Sequence, residues 1–178
     1  MKSYNSEPFI TTNTLPDTVL INPSAIYNLR YEFEHLRDRF LDEAQAKSIK
    51  LSLSFASDNS TAYWDIACLH RHVFNSILSN MLRCTATGGQ IVISVKKSDN
   101  YNMIITISNS GSCATFAENK NEFCNDPNSC KKISDDSGLK MAQLYVQAHK
   151  GTLNIINTPE NSGHGFEIAM PLYKLCFQ

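Results

Sequence analysis

Neither sign of charge is in excess in this chain: 16 Lys and Arg stand against 17 Asp and Glu, a formal net charge of −1. Without a basic surplus, nothing points to nucleic acid or an anionic membrane surface as a partner. No apolar run approaches the ~18 residues that a membrane span needs. The opening residues, MKSYNSEPFITTNTLP, contain a Lys but no apolar stretch of a secretory leader. A cytoplasmic location is the resulting expectation. Six cysteines are present, none in a CxxC pair, and a chain of 178 residues can fold without disulfides. Cys68 and Cys84 lie in apolar-periodic segments and read as buried thiols. Cys113, Cys124 and Cys130 share one polar loop, but no fourth ligand or short paired spacing accompanies them to build a zinc site. Internal repeats are also missing.

What the chain has is an ordinary globular composition, 42% hydrophobic, and clear periodicity. Residues 1–22 are mostly polar and read as a flexible arm, with only Val19-Leu20-Ile21 suited to docking. Residues 23–178 read as one domain. Asn22-Pro23-Ser24 looks like a helix start. Ile26, Leu29, Phe33, Leu36 and Phe40 then recur at spacings of three and four, predicting one long helix to about Lys47. Tyr27 and Tyr31 fall on its outer, charged face and suit an interface with a partner. Ile49, Leu51, Leu53 and Phe55 alternate with polar residues as a half-buried strand. A short strand follows near Tyr63-Trp64, then a helix over Leu69–Arg83 with Val73, Phe74, Ile77, Leu78 and Met81 inward. After Gly88-Gly89, two strands (Ile91 to Val95, Met103 to Ile107) form a hairpin around Ser98-Asp99-Asn100. A long polar stretch follows, a lid over about residues 112–137, expected to be the most mobile internal segment. Leu139 to His149 is a third helix closed by Gly151, and strands at Thr152–Ile156 and Phe166–Leu172 finish the domain. The pattern predicts an α+β, two-layer sandwich: a mixed, mostly antiparallel sheet with helices on one face.

Four stretches carry a resemblance. Ile77-Leu78-Ser79-Asn80-Met81-Leu82-Arg83-Cys84-Thr85 with Gly88-Gly89-Gln90-Ile91 resembles the asparagine box of the histidine-kinase ATPase superfamily, the GHKL or Bergerat fold. Ile105-Thr106-Ile107-Ser108-Asn109-Ser110-Gly111-Ser112-Cys113 is similar to its Asp-x-Gly-x-Gly box. Gly138-Leu139 through Ala148-His149-Lys150-Gly151 resembles the helix after the lid. Gly163-His164-Gly165-Phe166 to Leu172 is similar to the closing Gly-x-Gly strand. The resemblance implies Mg-ATP as cofactor: Asn80 on Mg²⁺ through its amide oxygen, Arg83 on phosphate, and Asn109 and Gly111 at the adenine. Gly138 would be the last of three phosphate-loop glycines. The sequence departs from the family at Ser76, which stands for a second Asn, and at Asn109, which stands for Asp and accepts hydrogen bonds without charge. Over Ser134-Asp135-Asp136-Ser137-Gly138-Leu139, where the resemblance places the phosphate loop, only Gly138 of its three glycines survives, and Asp135 and Asp136 would face the triphosphate instead. A carboxylate about 5 Å from phosphate repels it by ~1–3 kcal/mol.

The resemblance also implies what a working kinase needs and this sequence does not display, a helical hairpin carrying a phosphoacceptor His. His35 faces away from the apolar stripe and reads as a surface residue. His70 and His72, two residues apart, point ~200° apart on a helix and are no metal pair. The expectation is a stand-alone signalling module with a degenerate ATP site, a pseudokinase in two-component signalling. It would act on a response regulator, a kinase or a second copy of itself, with weak or lost nucleotide binding. An active single-domain protein kinase resembling anti-sigma factors, or the excised ATP-binding domain of a sensor histidine kinase, stay open beside it.

Overall fold

The computed structural model describes residues 19–26, 28–56, 61–98, 101–110, 137–158 and 163–172. Five strands make the main sheet in the order β2-β4-β5-β7-β6: β2 (Lys50–Phe55), β4 (Gln90–Lys97), β5 (Asn102–Asn109), β7 (Gly163–Pro171) and β6 (Thr152–Thr158). β2 runs parallel to β4, and the other pairs are antiparallel. A parallel pair needs a long crossover, and a helical run over 66–84 supplies it. β5 alternates half-buried and buried along its length, and β4 does so as far as Val95, beyond which Lys96 and Lys97 are exposed. Ile91, Ile93, Val95, Met103, Ile105, Ile107, Phe166, Ile168 and Met170 therefore line one buried face under the helices. This is the α+β sandwich that the periodicity predicts.

The first helix differs from expectation. Residues 24–26 form a strand, β1 (Ser24–Ile26), antiparallel to β3 (Ala62–Trp64) in a separate two-stranded sheet. Asn28, not the Asn22-Pro23-Ser24 stretch, is the cap: its Oδ1 accepts from Tyr31 N at 3.0 Å. From there α1 (Leu29–Arg39) runs to Phe40, and α2 (Leu41–Ala46) restarts after it. The break leaves Leu29, Phe33, Leu36, Phe40 and Ala44 all buried. Since α1 starts at Leu29, the helical spacing that paired Tyr27 with Tyr31 does not apply, and Tyr27 itself lies outside the described residues. Asn22 N donates to Asp65 Oδ2 at 2.7 Å, while Leu20 is 95% exposed.

α3 (Ile66–Cys68) opens on Asp65, whose Oδ1 accepts from Cys68 N at 3.0 Å. A π-helical stretch, Leu69–Phe74, follows directly and leads into α4 (Asn75–Cys84). All five inward residues read from the sequence, Val73, Phe74, Ile77, Leu78 and Met81, are buried. Cys68 and Cys84 are half-buried rather than buried, and burial pushes the Cys68 thiol up. α5 (Ser137–Ala148) ends on Lys150, at φ 62°, not on Gly151. Gly151 N donates to Val146 O at 2.9 Å and Lys150 N to Gln147 O at 2.8 Å, the paired bonds of a Schellman ending. Gly151 is needed for a different reason: a Cβ there would meet Ala169 O at 2.5 Å. Among the described residues, no helix is long and apolar enough to cross a membrane.

Candidate functional site

Asn80 sits on the inner side of α4, only 5% exposed, where the helix periodicity alone would have allowed a wet position. Its Oδ1 accepts a hydrogen bond from Arg83 Nη2, one turn on. Its Nδ2 is buried with no partner. The nitrogen is thus a donor left over, while the oxygen keeps a second lone pair beside the Arg83 guanidinium. Ser76, the departure from the family pattern, turns its hydroxyl back to His72 O at 3.1 Å.

Asn109, at the end of β5, is 3% exposed and held at both ends of its carboxamide. Nδ2 donates to Thr85 Oγ1 at 3.1 Å, and Oδ1 accepts from His164 N at 3.2 Å. Thr85 in turn donates to Met81 O at 2.6 Å, which ties the last turn of α4 to β5 and to the start of β7. Beyond it, Ser110 N donates to Gln90 O, and Gln90 N donates to Ser110 Oγ, both at 2.8 Å. The close fit continues at Gly165, where a Cβ would lie 2.5 Å from Ile107 O.

Of the residues marked from the sequence, Arg83 is bonded to Asn80, and Asn109 reaches the last turn of α4 through Thr85. Gly138 is half-buried in the first turn of α5. Gly111 lies outside the described residues, as do Asp135, Asp136, Cys113, Cys124, Cys130 and nearly all of the lid. Sequence reading missed Thr85 and His164 as partners, although both fall inside the quoted boxes. Their contacts to Asn109 span 24 and 55 residues, and no local pattern encodes them.

Histidines elsewhere are structural. His149 Nδ1 lies 2.7 Å from Tyr145 O, and its Nε2 lies 3.0 Å from Asp65 N. A carbonyl on one side and an N–H on the other fix the neutral ring with its proton on Nδ1. Burial lowers its pKa, more than the Tyr145 carbonyl and Asp65 raise it. Burial also pushes His164 down to about 4, and His70 to about 4 with help from Arg39. Burial would raise the Asp65 pKa, but hydrogen bonds from the Asn22 and Cys68 N–H groups outweigh it and hold the carboxyl low. A cavity of about 370 Å³ beside Asp65, Cys68 and Arg71 lies at the opposite end of the helical run from Asn80. Among the described residues, no group of His, Cys, Asp and Glu is arranged to hold a metal.

This sheet, with its helices on one face, aligns with solved kinase domains. The catalytic domain of histidine kinase ThkA superposes with a TM-score of 0.67 at 16% identity, over 85% of this chain and 97% of that one. The chain has the histidine-kinase-like ATPase (GHKL) fold. No family model matches the GHKL chain. Among curated proteins, the adaptive-response sensory kinase SasA of Synechococcus sp. (strain JA-3-3Ab) is 24% identical over 78% of this chain and 37% of that protein. Sporulation kinase E of Bacillus subtilis is 26% identical over 86% of this chain and 21% of that protein. The GHKL chain therefore spans less than two-fifths of the length of these relatives. ThkA is also solved in complex with the response regulator TrrA, and that kinase matches this chain at 15% identity with a TM-score of 0.59.

Proposed function

We propose that this GHKL domain is a two-component signalling module that has weakened or lost nucleotide binding and works through protein contacts, as a pseudokinase. The observation that carries this reading is the internal engagement of both key carboxamides. Asn109, at the adenine position of the family, is 3% exposed and bonded by Thr85 and His164. Asn80, at the Mg²⁺ position, has its oxygen on Arg83. Mg²⁺ would have to share the Asn80 oxygen with the Arg83 guanidinium, whose positive charge opposes a cation. The acidic pair Asp135-Asp136 in the sequence supports the same conclusion.

The partner class is a response regulator or kinase, by analogy with ThkA, or a second copy of this chain. The outer face of α1 is the contact surface in this reading. Tyr31 is 53% exposed there and lies edge-on to His35 at 4.2 Å between ring centres. An exposed aromatic with a polar rim suits an interface.

Calorimetry with ATP and Mg²⁺ is the test. The expected result is affinity weaker than millimolar, with adenosine no tighter than ADP. A micromolar ATP constant that depends on Mg²⁺ and is lost in Asn80→Ala would sink the reading.

A further inference from the structure

A single side chain ties the C-terminal end of α5 to the start of the helical run over 66–84. His149 is buried just past α5; its Nε2 accepts from Asp65 N at 3.0 Å, and its Nδ1 lies 2.7 Å from Tyr145 O. Asp65 in turn holds the entry to the domain. Its Oδ2 accepts from Asn22 N at 2.7 Å, ahead of β1, and its Oδ1 accepts from Cys68 N at 3.0 Å. The bond from Asp65 N to His149 exists only while Nε2 carries a lone pair. A proton there sets one N–H against another and strips a backbone donor of its acceptor. The imidazolium formed in this way has an anionic acceptor on the same residue, the Asp65 carboxylate, whose charge favours the protonated ring. Around this pair, Cys68 and His72 both feel Asp65 and Arg71, and His72 stacks on Tyr145 with ring centres 4.3 Å apart. Lys150 follows His149 in the chain. Asp65 is the charge that acts on the His149 ring, and burial outweighs its pull, so the ring is neutral at neutral pH.

We propose that His149 is a pH-sensitive latch: protonation moves the Asp65 carboxylate onto the imidazolium and releases Asn22, freeing residues 19–22 ahead of β1. The release is local. β1 stays paired with β3, and Trp64 Nε1 keeps its bond to Pro171 O, so the sheet and core are untouched. The latch lies at the opposite end of the helical run from Asn80, and the inference does not depend on whether a nucleotide binds there. Because the folded ring titrates below the ordinary 6.5, the latch is closed at neutral pH and opens on acidification.

The test is ¹⁵N NMR of the full chain as pH falls from 6.5 towards 4, with circular dichroism to follow the fold. At neutral pH the His149 ring nitrogens should report one neutral tautomer, with the proton on Nδ1. In acid the backbone amides of Asn22 and Asp65 should shift with the same midpoint as the His149 ring, while the circular dichroism stays native. The protection of the Asn22 amide against hydrogen exchange should fall by about tenfold over the same step. His149→Gln offers Asp65 N an uncharged acceptor, so the Asn22 amide should keep its shift and its protection across the window. His72→Gln removes the neighbouring ring and should leave the response in place. Three results would each overturn the latch: a proton on Nε2 at neutral pH, an Asn22 midpoint that departs from that of the His149 ring, or a response that survives in folded His149→Gln. Loss of the response in folded His72→Gln would assign it to the wrong ring and overturn it equally. Should His149→Gln not fold, the comparison of midpoints in the unaltered chain still decides.

Discussion

Replacing Thr85 by Val removes one hydroxyl and disturbs α4, β5 and β7 together. Thr85 donates to Met81 O and accepts from Asn109 Nδ2, so Thr85→Val leaves the Asn109 amide unsatisfied at a 3% exposed site. A buried donor stripped of its partner costs ~1–3 kcal/mol. Urea denaturation should show a loss of that size, and a double-mutant cycle with Asn109→Ala should show coupling between the two positions. Additive losses would mean that Asn109 is not held through Thr85. This corner also marks the limit of what the residues alone disclose. Asn80, Arg83 and Asn109 are legible in the sequence as positions, because their boxes have recognisable neighbours. Which atoms of those side chains remain available is not legible. It depends on Thr85 and His164, brought in from distant segments, and on the one-turn contact from Arg83.

Among the elements, the sheet is the most legible part, since β5 buries alternate residues along its whole length and β4 as far as Val95, and period-two patterning has one meaning there. The first helix was misread because spacings of three and four continue through residues that the chain uses differently. Ile26 belongs to a strand that exists only by pairing with β3, a non-local contact, and Phe40 interrupts the helix while staying in the core. The C-terminus of α2 carries a further signal. Ser48 has φ 54°, Ile49 N donates to Ala44 O, and Ser48 N donates to Gln45 O, both at 2.8 Å. The αL region disfavours a Cβ by about 1–2 kcal/mol, so Ser48→Gly is expected to stabilise the domain by ~0.5–1 kcal/mol after its entropy cost. A raised thermal midpoint is the readout, and a lowered one would contradict the Schellman ending. Leu36→Ala, in a fully buried position on α1, should cost ~2–5 kcal/mol.

At the scale of the molecule, neutral histidines that are buried (His149, His164) or half-buried (His70, His72) weaken the fold in acid. His70, His72, His149 and His164 all have pKa values lowered by burial, His70 and His164 to about 4. The unfolded chain takes up protons on these rings near the ordinary 6.5, while the folded one resists until lower pH. Their contribution to stability is therefore complete above 6.5 and is lost as pH falls from 6.5 towards 4. Asp65, held below its ordinary 3.8, adds to that loss only at still lower pH. The denaturation midpoint should fall across this window, and His70→Gln should flatten the fall. A midpoint constant across the window would contradict the neutral state of these rings. In the proposed function, the corner around Asn109 serves the fold rather than a nucleotide. Its most direct test is the Asn109 side-chain amide, followed by ¹⁵N NMR as Mg²⁺ and a non-hydrolysable ATP analogue are added. The amide should keep its shift and its slow hydrogen exchange up to millimolar analogue, as a group bonded to Thr85 and His164. A shift that saturates at micromolar analogue would show the base docking at Asn109, and would contradict it.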